Sequence, residues 1–213
     1  VQLGALYRFN MFNFGVSYTS AQKVTHENVF DFDGDGNFDD LDLEAPQTMA
    51  FGVSMEPSDL LLVEFDTKWI NWSDADGYED FDWDDQWVFA AGAQYKVTQD
   101  FSLRIGYNYS KNPVNEHNGF NPGGSTNVQG TEVNNVNYET FRIIGFPAII
   151  EHHLTLGAGY KFTDKMSVNI SYMHGFEETI KEESRGLPPA GDKVKLESSL
   201  KEDSVSVGFT VQF

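Results

Sequence analysis

The sequence predicts an all-β protein, a transmembrane antiparallel β-barrel with about nine strands in this chain. Three observations carry that reading. Ser204–Phe213 alternates strictly, with Val205, Val207, Phe209, Val211 and Phe213 on one face and Ser204, Ser206, Gly208, Thr210 and Gln212 on the other. A strand points successive side chains to opposite faces, and a barrel strand in a membrane needs lipid outside and a polar lumen inside. The pattern recurs along the chain, and the connections between the repeats alternate between short and long.

The repeats run in order. Leu3, Ala5, Tyr7 and Phe9 form the first apolar stripe, and Phe12, Phe14, Val16 and Tyr18 the second. Met49, Phe51, Val53 and Met55 follow, opposed by Thr48, Ala50, Gly52 and Ser54. Leu60–Trp72 is noisier, with Leu61, Val63, Phe65 and Trp69 outward and Glu64, Asp66 and Lys68 inward. Trp87–Val97, Phe101–Tyr109, His153–Phe162 and Met166–Met173 repeat the pattern before the terminal strand. Each segment has roughly the 10 residues that cross a bilayer when tilted.

Composition agrees. No apolar run approaches the ~20 residues of a membrane helix. Mean hydropathy is negative, as alternation allows, because only half of each strand faces lipid. Aromatics make up 15% of the chain. Many stand at strand ends (Tyr7, Trp69, Trp72, Trp87, Tyr109, Phe162), where interfacial girdles belong. There is no cysteine, and the formal net charge of −19 argues against a nucleic-acid partner. Val1-Gln2-Leu3 has neither the basic nor the apolar region of a signal peptide.

The turns at Asn10-Met11, 57–59, Gln99-Asp100 and 163–165 are short, while the stretches near 25–45, 73–85, 111–149 and 178–203 are long and polar. Short periplasmic turns and long extracellular loops are the outer-membrane arrangement. With the C-terminus in the periplasm, every long stretch falls outside the cell. The chain reads as one barrel domain over residues 1–213. Its strand count is odd, whereas single-chain bacterial barrels have even numbers. An unpaired edge in lipid leaves backbone groups unsatisfied, so the expectation is the C-terminal portion of a larger barrel, with an N-terminal portion absent from this chain.

Acids crowd into the loops. Asp31-Phe-Asp33-Gly-Asp35-Gly36-Asn37-Phe-Asp39-Asp-Leu-Asp42 reads D-x-D-x-D-G-x-x-D-x-x-D. EF-hand loops take ligands at positions 1, 3, 5, 7, 9 and 12, with glycine at 6 for the sharp turn. Asp31, Asp33, Asp35, Asn37 through its carbonyl, Asp39 and Asp42 are therefore candidate Ca²⁺ ligands. Asp42 replaces the usual Glu, so the affinity expected is that of extracellular sites, on the order of 10⁻⁴–10⁻³ M. The acidic stretch 74–85 lacks that spacing and reads as a solvated surface facing lipopolysaccharide and its counterions.

Arg8, Lys68, Lys96, Arg104 and Lys161 face the lumen by alternation, with Glu64 and Asp66 among them. They read as a salt-bridge ladder stiffening the wall, or as ligand-guiding groups, since charges inside a membrane usually pair. His152 and His153 are adjacent, point to opposite faces and do not share a metal; His174 reads as structural. No nucleophile and base are spaced together, so an enzyme is not expected.

Several segments resemble the FadL family of outer-membrane long-chain fatty-acid and hydrocarbon transporters. They are Ser171-Tyr172-Met173-His174-Gly175, Pro147 with Glu151-His152-His153 through Phe162, Trp69–Ser73, Phe101–Gly106 leading to Asn112-Pro113-Val114, and Asn13–Ser20. The resemblance implies a 14-stranded barrel with an N-terminal plug, in the outer membrane of a Gram-negative bacterium. It implies passive diffusion of hydrophobic molecules or lipids through the barrel to a lateral opening. Where such proteins carry a basic residue to meet a fatty-acid carboxylate, this chain has Asp84 beside Asp85. Like charges repel, which favours neutral substrates. The alternative reading is a surface-binding or adhesion barrel with calcium-ordered acidic loops.

Overall fold

The computed structural model describes residues 1–31, 34–146, 148–186 and 191–212. Asp33, Pro147 and Phe213, all named above, lie outside them. In chain order the strands are β1 (Gln2–Phe9), β2 (Phe12–Thr19), β3 (Gln22–Phe30), β4 (Asp39–Ala45), β5 (Thr48–Ser58), β6 (Leu61–Ile70), β7 (Gln86–Lys96), β8 (Phe101–Ser110), β9 (Ser125–Val128), β10 (Thr131–Asn134), β11 (His152–Thr163), β12 (Met166–Glu183) and β13 (Lys195–Val211). A helix, α1 (Asn135–Thr140), runs into a π-helical turn, Phe141–Gly145.

Among the described residues nine strands form one sheet in the order β1-β2-β5-β6-β7-β8-β11-β12-β13, each antiparallel to its neighbours. Two separate hairpins, β3–β4 and β9–β10, lie in the long connections. Short turns join the wall strands at one end. Asn10, at φ 52, closes β1 onto β2, a left-handed conformation that Asn tolerates. The β9–β10 turn uses Gln129 and Gly130, both at positive φ, as a two-residue hairpin turn of primed type requires.

Among the described residues the wall has no buried core cluster of its own. Its apolar stripe is open, with Phe209 76% and Val205 67% exposed, as a lipid-facing surface must be. The buried hydrophobic side chains gather instead in a cap at the loop end. Leu41, Phe81, Trp83, Val114, Phe120, Val128, Val133, Tyr138, Ile143, Ile149, Ile180 and Leu196 pack together there.

The cap changes two expectations. The 178–203 stretch is largely strand: β12 and β13 pair past the wall from Glu178↔Leu200 to Glu183↔Lys195, after a bulge between Gly175 and Glu178. Bulges re-aim a strand, and this one turns Ile180 into the cap core, 1% exposed. Trp72 does not belong to a girdle. Its ring stands 4.5 Å from Tyr78 and 5.1 Å from Trp83, inside an aromatic box.

Candidate functional site

The inner face of the wall is built by register. One row of Cα partners runs Leu6, Gly15, Gly52, Asp66, Ala90 and Asn108, and the next runs Arg8, Asn13, Ser54, Glu64, Gly92 and Gly106. Nearly every neighbour of the two acids is small. The result is a concavity of about 670 Å³ lined by Gly15, Gly52, Ser54, Glu64, Asp66, Lys68 and Asn108, among others. The Asp66 carboxyl lies over Gly52, where an added Cβ would stand 2.2 Å from Oδ1.

The five basic candidates are not gathered at one point. Lys68 lines the large concavity. Arg8 shares a row with Asn13 at the β1 edge. Lys96 donates to the Asp59 carbonyl at 3.0 Å. Arg104 donates Nε–H to Gln94 at 2.6 Å and Nη1–H to Asn169 at 3.0 Å. Lys161 pairs with Asp164 of the adjoining turn at 2.6 Å. Arg104 and Lys161 border one concavity of about 320 Å³ at the turn end.

The expected salt-bridge ladder therefore does not form among the described residues. The cross-strand partners of Glu64 and Asp66 are Ser54, Gly92, Gly52 and Ala90, so neither acid has a basic neighbour at its own level. Lys96 and Arg104 take neutral acceptors instead, and Lys161 the acid of its own turn.

In the candidate calcium loop, Asp31 accepts from the N–H groups of Gly34 at 2.8 Å and Gly36 at 3.1 Å. Asp35 accepts from Asn37 N–H at 2.7 Å. Asp39 opposes Phe30 at the start of β4. Asp42 lies on β4 opposite Thr25, takes its hydroxyl at 2.6 Å, and pairs with Lys23 at 2.8 Å. Those two contacts hold the Asp42 carboxyl below the usual carboxylate range, and Asp42 and Asp76 raise the Lys23 ammonium well above its own. Among the described residues, no three acids of this loop bring ligand atoms within 4.8 Å of one another.

One grouping of metal-ligating side chains within that distance does occur among the described residues: Glu151, His152 and Glu178, half-buried where β11 meets the extended β12. His152 Nδ1 lies 2.6 Å from the Tyr107 hydroxyl, and its ring stacks 4.9 Å from Tyr109. Sequence reading missed this set because Glu178 arrives through the bulge. His174 ties β12 to β13 through Asp203 at 2.7 Å, where Tyr172 also donates at 2.5 Å.

The polar centre of the cap is Arg142, fully buried. Its Nη1 donates to Glu139 at 2.6 Å and Glu182 at 3.2 Å, its Nε to the Phe81 carbonyl and its Nη2 to the Asn115 carbonyl. His117 bridges Glu139 at 3.0 Å and Asp82 at 2.7 Å. The Glu139 hydrogen bond raises the His117 pKa more than burial lowers it. Burial alone would push the Glu139 carboxyl up, but its bonds to His117 and Arg142 hold it down. Burial pushes Glu182 up. Asp85 accepts from the Trp69 indole at 3.1 Å and the Ser73 hydroxyl at 2.8 Å, fastening the 72–85 loop to β6.

Alternating strands with an open apolar face, short turns at one end and long connections at the other are the anatomy of an outer-membrane barrel. The family model for outer membrane protein transport proteins (OMPP1/FadL/TodX) matches residues 2–120. The chain belongs to this family. FadL/TodX proteins are outer-membrane proteins of Gram-negative bacteria, and that is where this chain resides. The family's members are transport channels rather than enzymes.

Solved structures agree on the fold. The Pseudomonas putida toluene transporter TodX superposes with a TM-score of 0.61 at 18% identity, covering 100% of this chain and 48% of its own. A Pseudomonas aeruginosa FadL homologue gives 0.61 at 17%, covering 98% and 51%. The CymD monoaromatic hydrocarbon channel gives 0.51 at 19%, covering 99% and 50%. The chain thus spans about half the length of the structures it matches. No curated protein matches it.

Proposed function

We propose that the chain supplies wall and outer cap to a channel that passes hydrophobic small molecules passively across the outer membrane, with exit through a lateral opening. The observation that carries this reading is the inner concavity of about 670 Å³ on the wall of a FadL/TodX family member. Small side chains leave room there, and scattered polar groups hold no fixed ion-pair lattice across it.

Neutral cargo fits better than fatty-acid anions. Glu64 and Asp66 outnumber Lys68 along the concavity, and Asp84 and Asp85 stand at the entry to β7, so a carboxylate meets a net like charge along the path. Relatives described as a toluene transporter and a monoaromatic hydrocarbon channel support the neutral class. The acidic cap loops face the lipopolysaccharide surface, and residues 31–42 remain our proposed calcium loop. The Asp31 turn around Gly34 and Gly36 favours it, provided Asp42 leaves Lys23.

The test is uptake by the full-length protein in proteoliposomes. Labelled toluene is expected to enter faster than in empty liposomes, with labelled palmitate at the background rate. Toluene uptake at background, with tight binding of the cap to a surface, would support the adhesion reading instead.

A further inference from the structure

At the loop end of the wall, Glu151, His152 and Glu178 bring one ligand atom each within 4.8 Å of one another. Glu151 and His152 stand where the chain enters β11, and Glu178 where β12 resumes pairing after its bulge. Gly175 lets the two strands close up there, since an added Cβ would stand 3.1 Å from the Ile150 side chain. The site lies apart from the inner concavity and from the acidic loop 31–42.

From this geometry we infer that Glu151, His152 and Glu178 form a binding site for one borderline divalent metal ion of the zinc class, which clamps the base of the cap to the wall. The inference does not depend on the transport reading.

The imidazole is already oriented. The Tyr107 hydroxyl lies 2.6 Å from His152 Nδ1, and the ring stacks on Tyr109 at 4.9 Å. With the Nδ1 proton given to the Tyr107 oxygen, Nε2 keeps its lone pair for a metal. A hydrogen bond at the second ring nitrogen is how proteins fix the tautomer of a ligating histidine. Glu151 is oriented in the same way, because its Oε1 accepts from the Asn112 N–H at 2.8 Å.

Charge calls for a cation. Two half-buried carboxylates at this separation repel each other. Among the described residues no ion pair relieves either one: Lys181 goes to Glu197 at 3.0 Å, and His174 to Asp203 at 2.7 Å.

The donor set points to the class. Calcium and magnesium take oxygen ligands, whereas an imidazole beside carboxylates suits zinc. A tetrahedral zinc ion, with bonds of about 2.0–2.2 Å, spaces its ligand atoms about 3.4 Å apart. The three groups therefore close by only about 1.4 Å, within reach of the glutamate torsions. Three protein ligands leave a fourth position for water.

The untagged full-length protein in lipid nanodiscs is titrated with Zn²⁺ by calorimetry, with millimolar calcium present to fill any calcium site. One saturable site is expected, and His152→Gln and Glu178→Gln are each expected to weaken it at least tenfold. His153→Gln, on the opposite face of β11, is expected to bind like wild type. Co²⁺ in place of Zn²⁺ should give visible absorption bands that His152→Gln removes. Zn²⁺ should also slow amide exchange at 148–152 and 176–180 in wild type but not in Glu178→Gln. Should His152→Gln disturb the strand, Glu178→Gln, which keeps the side chain's shape, gives an independent reading. No saturable Zn²⁺ site, or one of equal affinity in wild type and the folded Glu178→Gln, overturns the inference. Mg²⁺ displacing Zn²⁺ at equal concentration overturns the assigned class.

Discussion

Arg142 and Glu139, one helical turn apart, meet at 2.6 Å with the guanidinium fully buried and the carboxylate 4% exposed. Around them the 72–85 loop, the 111–149 loop and the top of β12 converge on one side chain. Breaking a buried pair from one side leaves its partner charged and unpaired, at a cost of about 3–5 kcal/mol. Arg142→Met is therefore expected to loosen residues 113–146, read as faster amide exchange there, while exchange in β5–β8 stays at the wild-type rate.

His117 makes the cap sensitive to pH. Glu139 and Asp82 raise its pKa above the usual 6.5, against burial and the nearby Arg142 charge. A group whose pKa is raised on folding adds stability that is fully present below its unfolded value and is lost as pH rises through the folded value. Amide exchange in the cap should thus be slower at pH 6 than at pH 8, after correction for intrinsic rates. His117→Gln should flatten that difference.

Gly77 and Gly52 separate backbone tightness from side-chain tightness. At Gly77 φ is +83, and a Cβ would stand 2.6 Å from the Asp42 carbonyl, a backbone atom. A non-glycine residue held at such a φ costs about 1–3 kcal/mol, so Gly77→Ala should lower the cap's melting temperature. At Gly52 the atom in the way is the free end of Asp66, which rotates aside. Gly52→Ala should leave melting unchanged within error.

Calcium is decided by Asp42. Lys23 and Thr25 both hold it on β4, so Lys23→Gln should release it toward the loop and strengthen Ca²⁺ binding. Calorimetry on wild type is expected to show a dissociation constant on the order of 10⁻⁴–10⁻³ M. Absence of binding at millimolar calcium in both proteins ends the proposal.

The wall was legible in the sequence because lipid and lumen impose a period of two on every strand; the predicted 101–109 and 166–173 segments sit inside β8 and β12. The cap was less so, because water surrounds it and no single period governs it. Ile180 and Glu182 both turn into the cap, yet the bulge after Gly175 shifts their phase and Glu182 occupies a position where a hydrophobe is expected. Trp72 looked like a girdle residue because it follows a strand end, and only the Tyr78 and Trp83 rings around it reveal its place. Among the lumen basics, alternation gave a candidate face, but the neutral partners of Arg104 depend on cross-strand register, which one strand's pattern does not contain.

The packed core of this protein lies in its loops, while the wall turns its apolar stripe toward lipid. Heat capacity rises on unfolding when apolar surface meets water. A calorimetric scan of the protein in a bilayer should therefore take most of its heat-capacity step from the cap, far out of proportion to the cap's share of the chain, and the wall should melt, if at all, with scarcely any step.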